Sequence, residues 1–421
     1  MVSRGPSFSS VNMKNDKGFA YLVYSRVFRS VALIFMTLGS PLYLALLNLS
    51  LAEIGLVYVG VMAFTAFLSV GLGMLGDRFG YKKSLILGEI APMAGAAVLA
   101  LSQNIWLVGV GVTIAGISGV AGGMRGAFSP GMTAYTASTY PNHGERVKKL
   151  GTLVIAASVS SVFGAILLLS QSYIIPILGA AGAFRALFGV AALMLFVSFL
   201  CLFSLEENPR PAKSTRIMKP ESMRYMIRIS ALSVLNGAGM GLSLPLLPLM
   251  FAIAFKLPAD TTALYIGMIY IPSYIATAIG SNISKKLSGK LDIMEVASVA
   301  RMANGLLLGL LGVIFFMQYY GFLVYLPLLD AAAFVYSCRS FAAGFGSASI
   351  SAVSVKGIHG EDYGTATSIQ GLAGNISQAS SGISGYLAEV SLPAPLFAGA
   401  ILQTLSGYLY PKLLNEKKDT G

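Results

Sequence analysis

Apolar residues gather along this chain in long runs, each closed by a short turn holding Lys, Arg, Gly, Pro or Asn. A helix needs about 20 residues to cross a bilayer's hydrocarbon core. Twelve runs reach that length, near 20–48, 53–75, 83–102, 105–138, 148–170, 180–204, 226–254, 262–283, 293–317, 321–350, 364–388 and 394–411. A continuous apolar run of this length predicts a membrane helix and not a strand. The longest polar stretch, LEENPRPAKSTRIMKPES from Leu205 to Ser222, follows the sixth run and reads as a linker between two halves. The pattern predicts an N-terminal segment (1–19), a six-helix bundle (20–204), a linker (205–222), a second six-helix bundle (223–411) and a tail (412–421).

Basic residues sharpen that picture. They fall in alternate turns: Arg4, Lys14 and Lys17; Arg78, Lys82 and Lys83; Arg146, Lys148 and Lys149; Arg210, Lys213, Arg216 and Lys219; Lys285, Lys286 and Lys290; Lys356; Lys412, Lys417 and Lys418. The intervening turns hold little beyond Glu53, Arg185, Lys256, Asp260 and Glu389. Positive charge accumulates on the cytoplasmic side of membrane proteins, so both termini are expected there, in a multi-pass protein of the plasma membrane.

Composition closes off other classes. Of 421 residues, 11% are charged and 55% hydrophobic, against roughly 25% charged in an ordinary soluble chain. The formal charge of +12 is spread over the turns and forms no patch, which argues against a nucleic-acid partner. Cys201 and Cys338 sit in apolar runs without metal-ligand spacing, and the two histidines, His143 and His359, lie in predicted loops. No nucleophile arrangement, metal set or phosphate-cradling loop is visible, so no enzyme, metal or cofactor is expected.

The halves echo each other. RSVALIFMTLGSPLYL, opened by Arg29, resembles RISALSVLNGAGMGLSLPLL, opened by Arg228, GMLGDRFGYKK at Gly73 resembles GSNISKKLSGK at Gly280, and His143-Gly144-Glu145 resembles His359-Gly360-Glu361. Transporters commonly carry such internal symmetry.

The segment Gly73-Met74-Leu75-Gly76-Asp77-Arg78-Phe79-Gly80-Tyr81-Lys82-Lys83 resembles the loop signature of the major facilitator superfamily. The likeness extends to the small-residue-rich fourth and tenth runs, and so covers nearly the whole chain. It implies an all-α fold of twelve membrane helices in two pseudo-symmetric six-helix bundles and a secondary transporter working by alternating access. Gly73 and Gly80 allow a tight turn, and Asp77, Arg78, Lys82 and Lys83 supply a charged latch that is made and broken as the halves rock. In the second copy Ser284 replaces the Asp and two extra residues precede Gly289, which weakens any latch there. The fifth run lacks the Gly-Pro signature of drug-antiporter members, which lowers drug efflux as a reading.

Ionisable residues inside the runs mark the expected site, because a charge at mid-membrane costs about 2.5 to 3.5 kcal/mol and must face protein or water. Arg125 and Arg339, one per half, are the expected contacts for an anionic substrate group. Asn236, Asn375 and Gln378 need polar partners that lipid does not offer, and Tyr43, Tyr270 and Tyr274 could stack on a solute. Glu89 and Asp330 are the expected proton-coupling groups. Glu89 also lies within reach of Arg26 or Arg29, and Glu295 within reach of Arg224 or Arg228, as symmetric structural pairs. The expected partners are therefore a small-molecule substrate, first an organic anion, with membrane lipid and protons, acting on a monomer. Efflux of amphipathic or drug-like compounds is the alternative, and a channel or nontransporting sensor the reading from another class.

Overall fold

The computed structural model describes residues 8–116, 143–205, 220–287, 290–322, 328–358 and 363–414, with 131, 132, 135, 136, 139, 140 and 207. The described residues form helices and no strands: α1 (Phe8–Leu46), α2 (Leu51–Phe79), α3 (Tyr81–Leu101), α4 (Ile105–Ala115), α5 (His143–Leu169), α6 (Gln171–Phe203), α7 (Pro220–Ser243), α8 (Leu247–Ala254), α9 (Thr262–Leu287), α10 (Ile293–Tyr319), α11 (Leu328–Lys356), α12 (Tyr363–Ser377), α13 (Ser381–Val390) and α14 (Ala394–Leu414). Eight stretches among them are long and apolar enough to cross a membrane.

Local chemistry fixes the ends. Ser50 and Glu53 form a reciprocal capping box at the start of α2, while Asn104 and Asp292 cap α4 and α10 through side-chain oxygens. The turn from α2 to α3 consists of Gly80 alone, at φ 101°, a conformation that a side chain resists.

Two predicted spans are broken. The seventh divides at Leu244–Leu246 into α7 and α8, and the eleventh divides at a short 3-10 turn, Gln378–Ser380, into α12 and α13. The breaks face each other. Ser380 Oγ donates to the Ala238 carbonyl at 2.8 Å and Ser384 Oγ to the Leu242 carbonyl, while a Cβ on Gly237 would collide with Ser377 Oγ and the Gly374 carbonyl. Irregular backbone at membrane depth survives only where protein or water satisfies it, and here the serines do so.

The first half, α1 to α6, and the second, α7 to α14, meet along α2 against α12 and α13 and along α5 against α9. Their contact is uneven along the membrane normal. At the end away from the basic turns, a Cβ on Gly55 of α2 would lie 2.8 Å from the Ser381 carbonyl, and one on Gly267 of α9 would lie 3.0 Å from the Ala165 carbonyl of α5. Glu389 Oε1 of α13 also accepts the Ala52 backbone N–H, 2.9 Å away, in the first turn of α2. At the basic end, Gly71 of α2 and Gly371 of α12 have open space where a Cβ would be.

The buried core follows the same division. One apolar cluster joins both halves at the first end and includes Tyr43, Tyr58, Phe188, Phe251, Tyr274 and Phe315. At the basic end the core separates into two, one around Phe19, Leu85 and Leu202 and the other around Ile229, Ala297 and Tyr410. The halves therefore share one core at the first end and have separate cores at the basic end, where α5 and α9 still touch, a Cβ on Gly151 lying 3.6 Å from Lys285 Cδ.

Candidate functional site

Each half carries a polar node where three of its helices meet. In the first half, Arg29 of α1 is paired with Glu89 of α3. The Ser198 hydroxyl of α6 lies within hydrogen-bond reach of Glu89 and also of the Ser25 carbonyl, at 3.0 Å. Arg26, one turn from Arg29, is buried beside them. The expected pair between α1 and α3 is present, and it joins two helices of one half.

The second half repeats the scaffold with different chemistry. Ser406 Oγ of α14 donates to the Leu232 carbonyl of α7 at 3.1 Å, as Ser198 can to Ser25. This places Asn236 opposite Arg29 in the repeat, where the sequence pattern had suggested Arg228. Asn236 is half-buried and donates to Met240 Sδ at 3.1 Å. The expected pair of Glu295 with Arg224 or Arg228 is not made: Glu295 is exposed, and its own N–H is held by Asp292. Depth along the helix explains the difference. Glu89 is the ninth residue of α3, Glu295 the third of α10, and the ninth of α10 is Arg301.

Arg301 therefore occupies the place of Glu89. Its Nη1 donates to Ser406 Oγ at 3.0 Å and its guanidinium carbon lies 4.6 Å from the Tyr410 ring centroid. Sequence reading missed this residue, although an arginine two turns into an apolar run was visible.

Arg339 lies farther along the second half, 2% exposed. Its Nη2 donates to Gln403 Oε1 at 3.4 Å, and Gln403 Nε2 reaches Ser243 Oγ at 3.4 Å, tying the arginine to the end of α7 beside the helix break. Its guanidinium carbon stands 5.8 Å from the Tyr336 ring. Tyr336 packs on Tyr270 with centroids 4.9 Å apart, and Tyr270 on Tyr274 at 6.0 Å. Arg339, Tyr270 and Tyr274 are thus brought together, with Tyr336 and Gln403 as members not foreseen.

Gln378 is buried in the 3-10 break and donates to the Gly374 carbonyl at 3.2 Å, and Asn375 is half-buried one turn earlier. Tyr43 stands apart, enclosed by Phe184 and Phe188 within the first half at 5.6 and 5.5 Å. Asp330 is exposed in the first turn of α11, more than two turns from Arg339. Arg125 and the Asp77 side chain lie outside the described residues.

The basic turn is held by a residue that the sequence did not single out. Glu207 accepts the backbone N–H groups of Tyr81 and Lys82 at 2.8 and 2.9 Å, closing the N-terminus of α3, and Lys82 Nζ donates to the Phe203 carbonyl at 2.7 Å. Gly80 permits this, since a Cβ there would sit 2.6 Å from Glu207 Oε2. Arg78 is exposed against the Phe79 ring, and Lys83 is exposed. The chain just after α6 is thereby fastened to the turn between α2 and α3.

Taken together, the charge inside the described protein is one-sided. Arg26, Arg29, Arg301 and Arg339 are buried, with exposures of 4, 4, 9 and 2%, against Glu89 alone among buried carboxylates.

Two pseudo-symmetric helical halves, joined at one end and carrying polar groups at facing helix breaks, define a secondary transporter. The chain belongs to the Major Facilitator Superfamily, whose family model matches residues 22–382. Human MFSD10 (TETRAN), described as an organic anion transporter, superposes with a TM-score of 0.65 at 14% identity, covering 94% of this chain and 99% of that one. FucP, a superfamily transporter solved in an outward conformation, gives 0.62 at 12% identity over 94% and 98% of the two chains. In sequence, Inositol transporter 4 of Arabidopsis thaliana is 26% identical over 140 residues, 33% of this chain and 22% of that protein. Multidrug resistance protein 2 of Bacillus subtilis (strain 168) is 28% identical over 165 residues, 39% of this chain and 36% of that protein. Both matches thus span well under two thirds of the relatives' lengths.

Proposed function

We propose that this transporter carries a small organic anion by alternating access, receiving the anionic group at Arg339 beside Tyr336, Tyr270 and Tyr274. The observation that carries this reading is the excess of buried arginines over buried carboxylates. An unpaired buried charge is strongly destabilising, so a site holding one in reserve favours a ligand of opposite sign. The tyrosine rings offer an apolar surface to the body of such a ligand. MFSD10, which shares the fold, is described as carrying organic anions, in keeping with this reading.

The shared core at one end and the separate cores at the other support a state open toward the basic turns. With those turns and both termini in the cytoplasm of a plasma-membrane protein, the site would open inward. Opening to the other side requires Gly55 and Gly267 to leave their close contacts and Glu389 to release Ala52.

Proton coupling rests on Glu89, whose protonation would free Arg29, and on Asp330 at the mouth of α11. Uptake of a labelled aromatic carboxylate into proteoliposomes tests both parts. The reading expects saturable uptake, stimulated by an imposed pH gradient and reduced at least tenfold by Arg339→Gln. Indifference to the gradient removes proton coupling, and unchanged uptake by Arg339→Gln removes the assigned contact. Drug efflux stays as a second reading because of the stretch shared with the Bacillus subtilis multidrug resistance protein; energised export of a lipophilic cation would favour it.

A further inference from the structure

The two nodes share a scaffold and differ in charge: among the described residues the first contains a carboxylate and the second does not. Arg301 is buried and its Nε, like those of Arg26 and Arg339, has no hydrogen-bond partner. The Tyr410 hydroxyl, on the ring against which that guanidinium lies, is also buried without a partner. Both unpartnered groups can donate a hydrogen bond. Ser406 accepts from Arg301 and gives its own proton to the Leu232 carbonyl, so it adds no negative charge. Asn236, in the position of Arg29, is neutral. Arg339 contacts α14 at Gln403, three residues before Ser406, and is a second buried cation with no ion pair among the described residues.

A guanidinium held in an apolar bundle requires a counter-charge, and breaking a buried pair by removing one partner costs about 3 to 5 kcal/mol. The first half supplies one such charge covalently, Glu89, paired with Arg29 and shared with the neighbouring Arg26. We propose that the second half satisfies it with a bound monovalent anion on Arg301 and Tyr410, at a site separate from the Arg339 contact. The ligand chemistry is a single small negative group, supplied either by a free inorganic ion such as chloride or by the carboxylate of a small organic acid.

Thermal unfolding of the full-length protein in detergent tests this, with chloride or acetate titrated against a bulky organic sulfonate at constant ionic strength, because an anion that binds only the folded state raises Tm in a saturable way. Wild type is expected to gain a few degrees. A rise with chloride alone assigns a free inorganic ion, and a rise with acetate alone assigns an organic carboxylate. Ser406→Asp, which sets a carboxylate against Arg301, should abolish the response while keeping Tm at or above that of wild type without chloride. Arg301→Met should abolish it as well, and Gln403→Glu, at the Arg339 contact, should leave it in place. A wild type indifferent to both anions overturns the proposal, as does a response that survives Arg301→Met or is lost in Gln403→Glu alone.

Discussion

The two halves of this transporter solve the same packing problem with opposite chemistry. In the first, α1, α3 and α6 are tied by an arginine, a carboxylate and a serine; in the second, an arginine and a serine tie α10 to α14, the same serine reaches a carbonyl of α7, and the asparagine of α7 bonds within its own helix. The serine bond to the carbonyl of the neighbouring helix is common to both. Repetition thus preserves the scaffold while the charge on it is free to change. In the first half one carboxylate, Glu89, stands against two buried arginines, and in the second no buried carboxylate stands against Arg301 and Arg339 among the described residues.

The sharpest way to break this comparison is to remove Glu89, the one carboxylate buried among the described residues. Glu89→Ala leaves Arg26 and Arg29 without a counter-charge, and should lower unfolding stability by about 3 to 5 kcal/mol, read as a lowered midpoint in thermal or detergent denaturation. The mirror substitution, Arg301→Met, removes no carboxylate pairing and should stay within about 2 kcal/mol of wild type in low-chloride buffer. Equal losses from the two would show that the halves do not differ in the way described.

A smaller effect comes from the shared serines. Ser198→Ala takes a hydroxyl from both Glu89 and the Ser25 carbonyl, and should cost about 1 to 3 kcal/mol. Ser406→Ala leaves Arg301 its contact with Tyr410 and should cost less, in the same denaturation assay. The smallest effect is expected at the turn between α2 and α3. Gly80→Ala meets a positive φ and the Glu207 carboxylate together, and should cost about 1 to 2 kcal/mol. Glu207→Ala should cost about 1 kcal/mol by the loss of the α3 cap and should make the site for Gly80→Ala more tolerant, which a double-mutant cycle would detect.

Much of this fold was legible in the sequence because the bilayer imposes one length on every span. The runs follow from that length, and the Arg29–Glu89 pair from the placement of two opposite charges near the same end of two spans. The depth of Arg339 within an apolar run announced its burial. What escaped the sequence depends on register and on breaks. Arg301 was overlooked in favour of Glu295 because a search for carboxylates does not reveal that the repeat had exchanged one for an arginine two turns farther along. Arg228 looked like the counterpart of Arg29 because both open similar apolar runs, whereas the serine hydrogen bonds set Asn236 there. The division of the seventh and eleventh spans is set by tertiary contacts between Gly237, Ser377 and Ser380, which leave no mark on hydropathy. Glu207 caps α3 from more than a hundred residues away, beyond the reach of any local pattern.

The central claim is that the second half presents unbalanced positive charge to an anionic ligand. Calorimetric titration of purified protein with an aromatic carboxylate and with its primary amide, matched in shape and differing in charge, tests it most directly. The account predicts that the carboxylate binds at least tenfold more tightly than the amide, and that Gln403→Glu, which sets a carboxylate against Arg339, erases the difference. Equal affinity for the two compounds in the wild-type protein would contradict it.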